Sequence, residues 1–254
     1  MRANWRALRR LAALSGHVLQ ALWVARGAFR QLDAAAQQRW VQQWAQGFLR
    51  KAGIALQVHG QPMSSGPVLW VANHQSWLDI PTLHAARYTR FIAKAEIAQW
   101  PLAGALARTA GTLFMERSSR RDMQRMVQAM SQALEQGDCL TVFPEGTEGN
   151  GRELLPFYGN TLQAAIDSDA PIQPVALSFV DARSGAAVYA PCEAWLDEPI
   201  VRSLWRTLKT EHLVAVVRYG TAQTAQGRDR RVWAQALRAQ VQTLRDMAAQ
   251  PTEY

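Results

Sequence analysis

Apolar residues in the chain alternate between short continuous runs and segments with helical spacing. Beyond Gly53, eight short apolar runs predict β-strands. They are Ala55–Val58, Val68–Ala72, Arg90–Ala93, Thr112–Met115, Leu140–Phe143, Gln173–Phe179, Ala187–Tyr189 and Val214–Arg218. The helical patterns are Pro81–Ala86, Pro101–Thr109, Asp122–Gln136, Asn160–Asp167, Val201–Lys209 and Arg230–Met247. This alternation predicts an α/β fold in which helices cover a mostly parallel sheet.

The first 52 residues have a different pattern, which predicts two amphipathic helices. Most positions from Leu11 to Phe29 are apolar, but polar residues such as His17 and Arg26 interrupt them. No uninterrupted apolar run reaches the roughly 20 residues that a membrane-spanning helix needs. A second segment, about Asp33 to Ala52, repeats aromatic residues at helical spacing. We therefore predict a helical hairpin over residues 1–52 and a domain over residues 53–254.

The positive charge of the chain is concentrated in this hairpin. The formal net charge is +8, and residues 1–50 contain eight arginines and a single acid, Asp33. Such charge is typical of binding to nucleic acid or to an anionic membrane surface. Tryptophans and leucines between the arginines favour the lipid interface, and no nucleic-acid-binding motif accompanies them. We expect a membrane-associating hairpin and no nucleic-acid partner; two helices packed only on the protein's own core are the alternative.

Length and cysteine content set further bounds. A chain of 254 residues suits one α/β domain with a small appendage. Its two cysteines, Cys139 and Cys192, indicate no disulfide framework and favour a reducing compartment. The sequence contains no dinucleotide-binding, Walker or nucleophile-elbow motif.

The stretch Asn73-His74-Gln75-Ser76-Trp77-Leu78-Asp79 carries the clearest chemical signal. It follows the predicted strand Val68–Ala72, where α/β proteins place their chemistry. Ser76, with Asp79 three residues later, predicts a helix start with Ser76 as its N-cap. His74 would then lie in the turn, where the Asp79 carboxylate can fix its tautomer and leave one ring nitrogen free to take a proton. The alternative is that Asp79 only caps the helix and that His74 is a solvated turn residue.

Two further stretches end predicted strands with polar residues. Gly111 to Arg117 ends in a charge pair, and its arginine can present a planar fork to a phosphate or carboxylate. Taken alone, this stretch is better explained by an ordinary surface arginine. Phe143 to Gly151 contains three glycines in six residues, so that backbone N–H groups can approach an anion closely. A plain loop rich in turn-forming residues would look the same.

Taken in order, these stretches resemble the motifs of the PlsC family of glycerolipid acyltransferases, also called lysophosphatidic acid acyltransferases. His74 to Asp79 is similar to the H-x-x-x-x-D block, and Gly111 to Arg117 to the G-x-x-F-x-x-R block. Phe143 to Thr147 is similar to the F-P-E-G-T block, and Pro174 to Ala176 to a later proline block. The resemblance covers roughly residues 55–220.

The resemblance implies the glycerolipid acyltransferase fold and a role for each matching residue. His74 is expected to be the general base and Asp79 its orienting partner. The implied substrate-binding residues are Ser76, Gly111, Arg117, Glu145, Gly146, Thr147 and Pro174, the last in the acyl-donor region. Residues 1–52 correspond to the family's two-helix membrane motif.

The chain departs from the family pattern at two positions. F-P-E-G-T is usually followed by arginine, where this chain has Glu148, and Tyr158 stands where the family often has lysine. Both changes remove a cation from the expected phosphate site. An inward-pointing Glu148 would repel a dianionic head group. The pattern from Glu148 to Phe157 also resembles the lyso-ornithine lipid acyltransferase branch, whose acceptor has no phosphate.

We therefore expect a monotopic enzyme on the cytoplasmic face of the membrane. It would transfer a fatty acyl group from acyl-CoA or acyl-carrier protein to the free hydroxyl of a lysolipid of the 1-acylglycerol-3-phosphate type. Lyso-ornithine lipid is the alternative acceptor, and a catalytically silent lipid-binding protein is the alternative of another class. Neither a cofactor nor a metal is expected. Because no Ser or Cys stands beside His74 as an acyl acceptor, direct transfer is favoured.

Overall fold

The computed structural model describes residues 1–116, 118–189, 191 and 199–248. The strands are β1 (Ile54–His59), β2 (Val68–Ala72), β3 (Arg90–Lys94), β4 (Leu113–Met115), β5 (Cys139–Val142), β6 (Ile172–Asp181) and β7 (Leu213–Tyr219). The α-helices are α1 (Arg2–Arg26), α2 (Ala34–Ala52), α3 (Asp79–Ala86), α4 (Ala103–Thr109), α5 (Arg120–Glu135), α6 (Gln163–Asp167), α7 (Ile200–Lys209) and α8 (Arg230–Ala248). Short 3-10 helices span Ala28–Gln31, Ala95–Gln99 and Gly159–Leu162.

The strands form one sheet in the order β1-β7-β6-β2-β5-β3-β4. The strands from β6 to β4 are parallel to one another, whereas β7 runs antiparallel to β6 and β1 follows β7. The predicted mostly parallel α/β fold is therefore confirmed. The predicted strand Ala187–Tyr189 is wrong: the chain turns back after β6, and Ala187 forms only an isolated antiparallel bridge with Val180.

The central strand β2 shows why the sheet forms at this sequence. All five of its residues are fully buried. Leu69 and Val71 pack into the cluster under α5 and α8, while Trp70 packs on the opposite face of the sheet. A strand covered on both faces reads as a continuous apolar run, which is the pattern that predicted it.

Helix α5 begins and ends as its sequence predicts. The Ser119 hydroxyl accepts the N–H of Asp122 at 3.1 Å, and the Asp122 carboxylate accepts the N–H of Ser119 at 3.0 Å. Gly137, with a φ of 87°, donates its N–H to the Leu134 carbonyl directly after the helix. Met126 and Met130 are buried in the core, as expected for the apolar face of this helix.

The predicted N-terminal hairpin is present as α1 and α2. Asp33 caps α2 by accepting the N–H of Ala36 at 2.7 Å, and Gly53 ends it with a φ of 75°. One face of the hairpin packs on the sheet and α7, since Leu14 and Leu49 share an apolar cluster with Leu213. This face of the hairpin therefore packs on the protein's own core, as the alternative reading predicted. The boundary between residues 52 and 53 as a domain limit stays a prediction.

The other face of α1 exposes large apolar side chains. Trp5, Leu8, Leu19 and Trp23 are exposed, with Trp23 exposed to 74%. At about 100° per residue these four positions lie within roughly 60° of one another around the helix. We call them the α1 stripe. Among the residues that the structure describes, no helix is long and apolar enough to cross a membrane.

Two of the N-terminal arginines bind the protein itself. Arg6 pairs with Glu211 and donates to the Lys209 carbonyl at 3.0 Å. Arg10 donates to the carbonyls of Leu208 and Thr210 at 2.9 and 2.7 Å, at the C-terminal end of α7. These two side chains hold α1 on the body, so the positive charge that α1 can offer to an external partner is smaller than the sequence suggests.

Candidate active site

The candidate site begins where β2 leaves the sheet. The Asn73 side chain replaces backbone pairing there: its amide donates to the Leu177 carbonyl at 3.1 Å, and its oxygen accepts the Leu177 N–H at 2.7 Å. Gln75 also donates to the Leu177 carbonyl, at 2.5 Å. These bonds to β6 fix the turn that carries His74 at the C-terminal edge of the parallel strands.

The structure brings His74 and Asp79 together, as the sequence predicted. Nδ1 of His74 lies 2.8 Å from Oδ2 of Asp79. The same oxygen accepts the N–H groups of Gln75 at 2.6 Å and Ser76 at 2.9 Å, and Asp79 is fully buried. Because a carboxylate oxygen accepts from Nδ1, Nε2 is left with the lone pair that can take a proton. The catalytic roles of the two residues stay predictions at this point.

The prediction that Ser76 is the N-cap of α3 is wrong. Helix α3 begins at Asp79, and within the described residues no side chain caps its first turn. The Ser76 hydroxyl instead accepts the Leu78 N–H at 3.2 Å, and the side chain is buried. The reason is that the Asp79 carboxylate accepts the N–H groups of residues 75 and 76, which holds this segment in a tight turn. The chain therefore becomes helical only after that turn.

The imidazole is also held from the side and through its main chain. Its ring stacks on Phe143, with the centroids 4.1 Å apart and the planes 11° apart. One oxygen of Glu145 accepts the His74 N–H at 2.7 Å, and the other accepts the Leu155 N–H at 2.8 Å. The Gly149 N–H binds the His74 carbonyl at 2.9 Å. The loop after β5 therefore binds both the N–H and the carbonyl of His74.

Glu145 is a buried carboxyl group that binds two backbone N–H groups of the protein. It is exposed to only 3%, and both of its oxygens face backbone amides. Burial raises its pKa, and the hydrogen bonds from His74 and Leu155 only partly offset this effect. Acceptor binding, the role implied by the resemblance, stays a prediction for Glu145, while its contacts indicate that it positions His74.

Glu148 points toward Nε2 of His74. Its Oε1 lies 3.8 Å from Nε2 of His74, and the side chain is 44% exposed. Both ring nitrogens therefore face carboxylates. Burial opposes protonation of the imidazole, but the hydrogen bond and charge of Asp79, together with the charges of Glu148 and Glu145, outweigh it and raise the pKa of His74 above its usual value.

The other predicted substrate-binding residues are distributed unevenly. Gly146, with a φ of 74°, and Thr147 are exposed in the loop that carries Glu148. Pro174 is buried in β6 beside Val71, below the turn that holds His74. Arg117 lies outside the described residues.

Gly111 is not brought to His74. It precedes β4, whereas His74 follows β2, and the two strands run parallel, so these residues lie at opposite edges of the sheet. Gly111 has a φ of 78°, and its carbonyl accepts from the Arg90 guanidinium at 2.7 Å. The glycine is therefore explained by the left-handed turn before β4 and not by contact with the imidazole.

Comparison with known proteins identifies this arrangement. Residues 55–178 match the Acyltransferase family. A lyso-ornithine lipid O-acyltransferase from Pseudomonas aeruginosa is 37% identical over 187 residues, which cover 74% of this chain and 71% of that protein. A 1-acyl-sn-glycerol-3-phosphate acyltransferase from Neisseria meningitidis is also 37% identical over 187 residues and covers 72% of each chain. The chain belongs to the acyltransferase family.

The fold agrees with this assignment. The crystal structure of the 1-acyl-sn-glycerophosphate acyltransferase PlsC from Thermotoga maritima superposes with a TM-score of 0.72. The match covers 99% of this chain and 98% of that one, at 16% sequence identity. The resemblance drawn from the four sequence motifs is thus confirmed at the level of family and fold.

Sequence reasoning missed three contacts of this candidate site. The Phe143 ring could be read only as the end of an apolar run, and Asn73 only as a polar residue beside the histidine. The contacts of Glu145 with the His74 backbone were missed because the resemblance implied that Glu145 binds the acceptor. For Glu148 the sequence left the direction of the side chain open, and the structure shows it beside Nε2.

We expect Glu145→Gln to reduce turnover strongly without unfolding the protein. The glutamine amide oxygen can accept the N–H of either His74 or Leu155, and the amide nitrogen would then face the other N–H donor. The loop after β5 should therefore no longer hold the His74 backbone in place. Steady-state kinetics should show a lower kcat with a smaller change in the KM of the acceptor. Glu153→Gln, an exposed acid in the same loop, is the control.

If the Glu145→Gln enzyme kept the kcat of the wild type, the positioning role would be wrong. If kcat were kept and only the KM of the acceptor rose, direct contact with the substrate would be the better account. A thermal melt of each variant separates loss of fold from loss of position.

Proposed function

We propose that this acyltransferase moves a fatty acyl group from a thioester donor, acyl-CoA or acyl-carrier protein, to the free hydroxyl of a lysolipid. The observation that carries the proposal is the His74–Asp79 pair, in which Nδ1 is engaged at 2.8 Å and Nε2 faces away from its orienting partner. The names of the relatives, which act on lyso-ornithine lipid or on 1-acyl-sn-glycerol-3-phosphate, support a lysolipid acceptor.

The chemistry follows from the position of Nε2. The acceptor hydroxyl donates a hydrogen bond to Nε2 and loses its proton to it as the oxygen attacks the thioester carbonyl carbon. Asp79 stabilises the imidazolium that forms. When the tetrahedral intermediate collapses, the C–S bond breaks and the imidazolium returns the proton to the leaving thiolate. A general base placed in this way contributes on the order of 10²–10⁴ in rate.

Direct transfer is supported by the state of Ser76. This is the hydroxyl residue nearest to His74 in the turn, but it is 1% exposed and its oxygen is engaged by the Leu78 N–H. It is therefore not presented to a substrate as a nucleophile. We propose a single transfer step without an acyl-enzyme intermediate.

We also propose that the enzyme works at a membrane surface, on its cytoplasmic face. The α1 stripe supports this: four large apolar side chains on one helix face, two of them tryptophans, would otherwise be in contact with water. The lysolipid acceptor and the fatty acyl group reside in or near a bilayer, so a surface-bound enzyme meets both.

The proposed base is tested by His74→Ala. We expect turnover to fall by roughly 10²-fold or more, while the protein stays folded, because His74 lies in a turn and the N–H groups of Gln75 and Ser76 still bind the Asp79 carboxylate. His212→Ala, at a partly exposed histidine, is the matched control. Asp79→Asn should also lose much of the rate, because an amide cannot hold the imidazole in the required tautomer and charge state. A His74→Ala enzyme within a few fold of wild-type activity would end the assignment.

The relatives leave the acceptor head group undecided, because the acyltransferases for lyso-ornithine lipid and for 1-acyl-sn-glycerol-3-phosphate are equally similar to this chain. The reacting hydroxyl must lie about 3 Å from Nε2, and Glu148 lies 3.8 Å from the same atom. In lysophosphatidate the phosphate is attached to the carbon next to the one that bears the hydroxyl, so it would lie close to the Glu148 carboxylate. Two like charges at such a distance repel by about 1–3 kcal/mol near a protein surface.

The geometry of Glu148 therefore favours an acceptor that is less anionic than lysophosphatidate, and we propose lyso-ornithine lipid. Its ornithine head group carries one ammonium group, which can pair with Glu148, one carboxylate and no phosphate, so it has no net charge. Among the residues that the structure describes, Arg152 stacks on the Tyr189 ring at 4.3 Å, and Lys94 is exposed at the end of β3. Neither cation changes the position of the Glu148 carboxylate beside Nε2 of His74.

Competition between the two lysolipids at equal concentration tests this proposal. We expect the wild type to prefer lyso-ornithine lipid. Glu148→Arg should shift the ratio of kcat/KM values toward lysophosphatidate by about tenfold or more, which corresponds to about one charge-assisted hydrogen bond. Glu148→Gln should give an intermediate ratio, and Glu153→Arg should leave it unchanged. A wild-type preference for lysophosphatidate that Glu148→Arg does not alter would show that Glu148 does not select the acceptor.

A further inference from the structure

A second cleft lies at the edge of the sheet opposite to His74. It has a volume of about 590 Å³ and is enclosed by the end of α1, the turn of the hairpin, the start of α2, and α4. The residues before β4 and β5, Gly111 and Asp138, also line it. The five residues of β2 span about 16 Å at 3.3 Å per residue, so this cleft is separate from the site of acyl transfer. Its size suits a small ligand.

The lining of this cleft is divided between apolar and cationic side chains. Leu22, Phe29 and Val41 form an apolar wall. Phe29 and Val41 belong to a small buried cluster, and the Phe29 ring meets Trp40 edge-on at 5.2 Å, so the wall is built on packed elements.

The cations of the cleft outnumber its acids. Arg26, Arg30, Arg90 and Arg108 line it with a single acid, Asp138, among the described residues. Arg90 pairs with Asp138 and donates to the Gly111 carbonyl, so these two charges balance each other. The guanidinium groups of Arg26, Arg30 and Arg108 have no acidic partner in the described part of the chain, and that of Arg108 also donates one hydrogen bond to the Ala98 carbonyl.

A purely structural reading explains part of this charge. A cation in the last turn of a helix interacts favourably with the helix dipole, and Arg26 and Arg108 lie in the last turns of α1 and α4. That reading does not account for Arg30, which lies in the 3-10 turn between α1 and α2. Nor does it explain why three uncompensated guanidinium groups line one cleft with an apolar wall.

The surface beside the cleft indicates the kind of ligand. Leu19 and Trp23 of the α1 stripe lie one to two helical turns before Arg26 on the same helix and are exposed. An apolar surface that passes into a cationic cleft matches a molecule with an acyl chain next to a phosphate. A free phosphate ion would have no use for the apolar wall.

We propose that this cleft binds an anionic membrane phospholipid, with its phosphate on Arg26, Arg30 and Arg108 and an acyl chain along the apolar wall. The site anchors the turn of the hairpin in the head-group layer. It rests on the proposed membrane association and not on the acyl-transfer chemistry. It also assigns the lipid-binding charge to the end of α1, whereas Arg6 and Arg10 at its beginning are used internally.

Titration calorimetry of the full chain with a short-chain, soluble phosphatidylglycerol tests the site, with inorganic phosphate as the second probe. The double variant Arg26→Gln/Arg30→Gln should lose about tenfold or more in affinity for the lipid. Arg120→Gln/Arg121→Gln, at two exposed arginines of α5, makes the same change in net charge and should stay within about twofold. Ala105→Leu narrows the cleft without altering charge and should also weaken lipid binding.

Three results would overturn the proposal. One is unchanged lipid affinity in Arg26→Gln/Arg30→Gln. Another is an equal loss in the α5 control, which would mean that general surface charge and not a site is responsible. The third is binding of inorganic phosphate as tight as that of the lipid with no effect of Ala105→Leu, which would assign the cleft to a free anion. Because the readout is binding, failure of the acyl-transfer assignment would leave this test unaffected.

Discussion

The candidate active site depends on one buried carboxylate. A single oxygen of Asp79 accepts from the imidazole of His74 and from the backbone of Gln75 and Ser76. An unpaired charge in this fully buried position would be costly, and the three donors offset that cost. The same bonds force the chain into a tight turn before α3. The turn and the orientation of the His74 imidazole therefore depend on the same carboxylate.

A second constraint joins two loops around the same histidine. Glu145 and Gly149 follow β5, and they hold the N–H and the carbonyl of His74, which follows β2. Since β2 and β5 are neighbours in the sheet, this contact is short and needs no long connection. The H-x-x-x-x-D and F-P-E-G-T stretches are thus two halves of one scaffold. The position of the Nε2 atom of His74 results from both.

Sequence reasoning succeeded where a pattern has one physical cause. The run Val68–Ala72 is continuously apolar because both faces of β2 are covered, and this gave the strand and the place of the site. It failed where a side chain has a choice of partners. The Asp79 carboxylate binds the turn and thereby displaces Ser76 from the cap, which local propensity could not reveal. The inward direction of Glu148 and the remoteness of Gly111 depend on contacts between distant segments, and spacing along the chain does not encode them.

The central claim is that carboxylates on both sides prepare His74 to act as a base through Nε2. Nuclear magnetic resonance of the ¹⁵N-labelled imidazole in the intact protein measures this most directly. The account predicts that the neutral ring carries its proton on Nδ1, that its pKa lies above the usual value of about 6.5, and that Asp79→Asn lowers this pKa. A neutral ring protonated on Nε2, or a pKa that Asp79→Asn does not change, would contradict it.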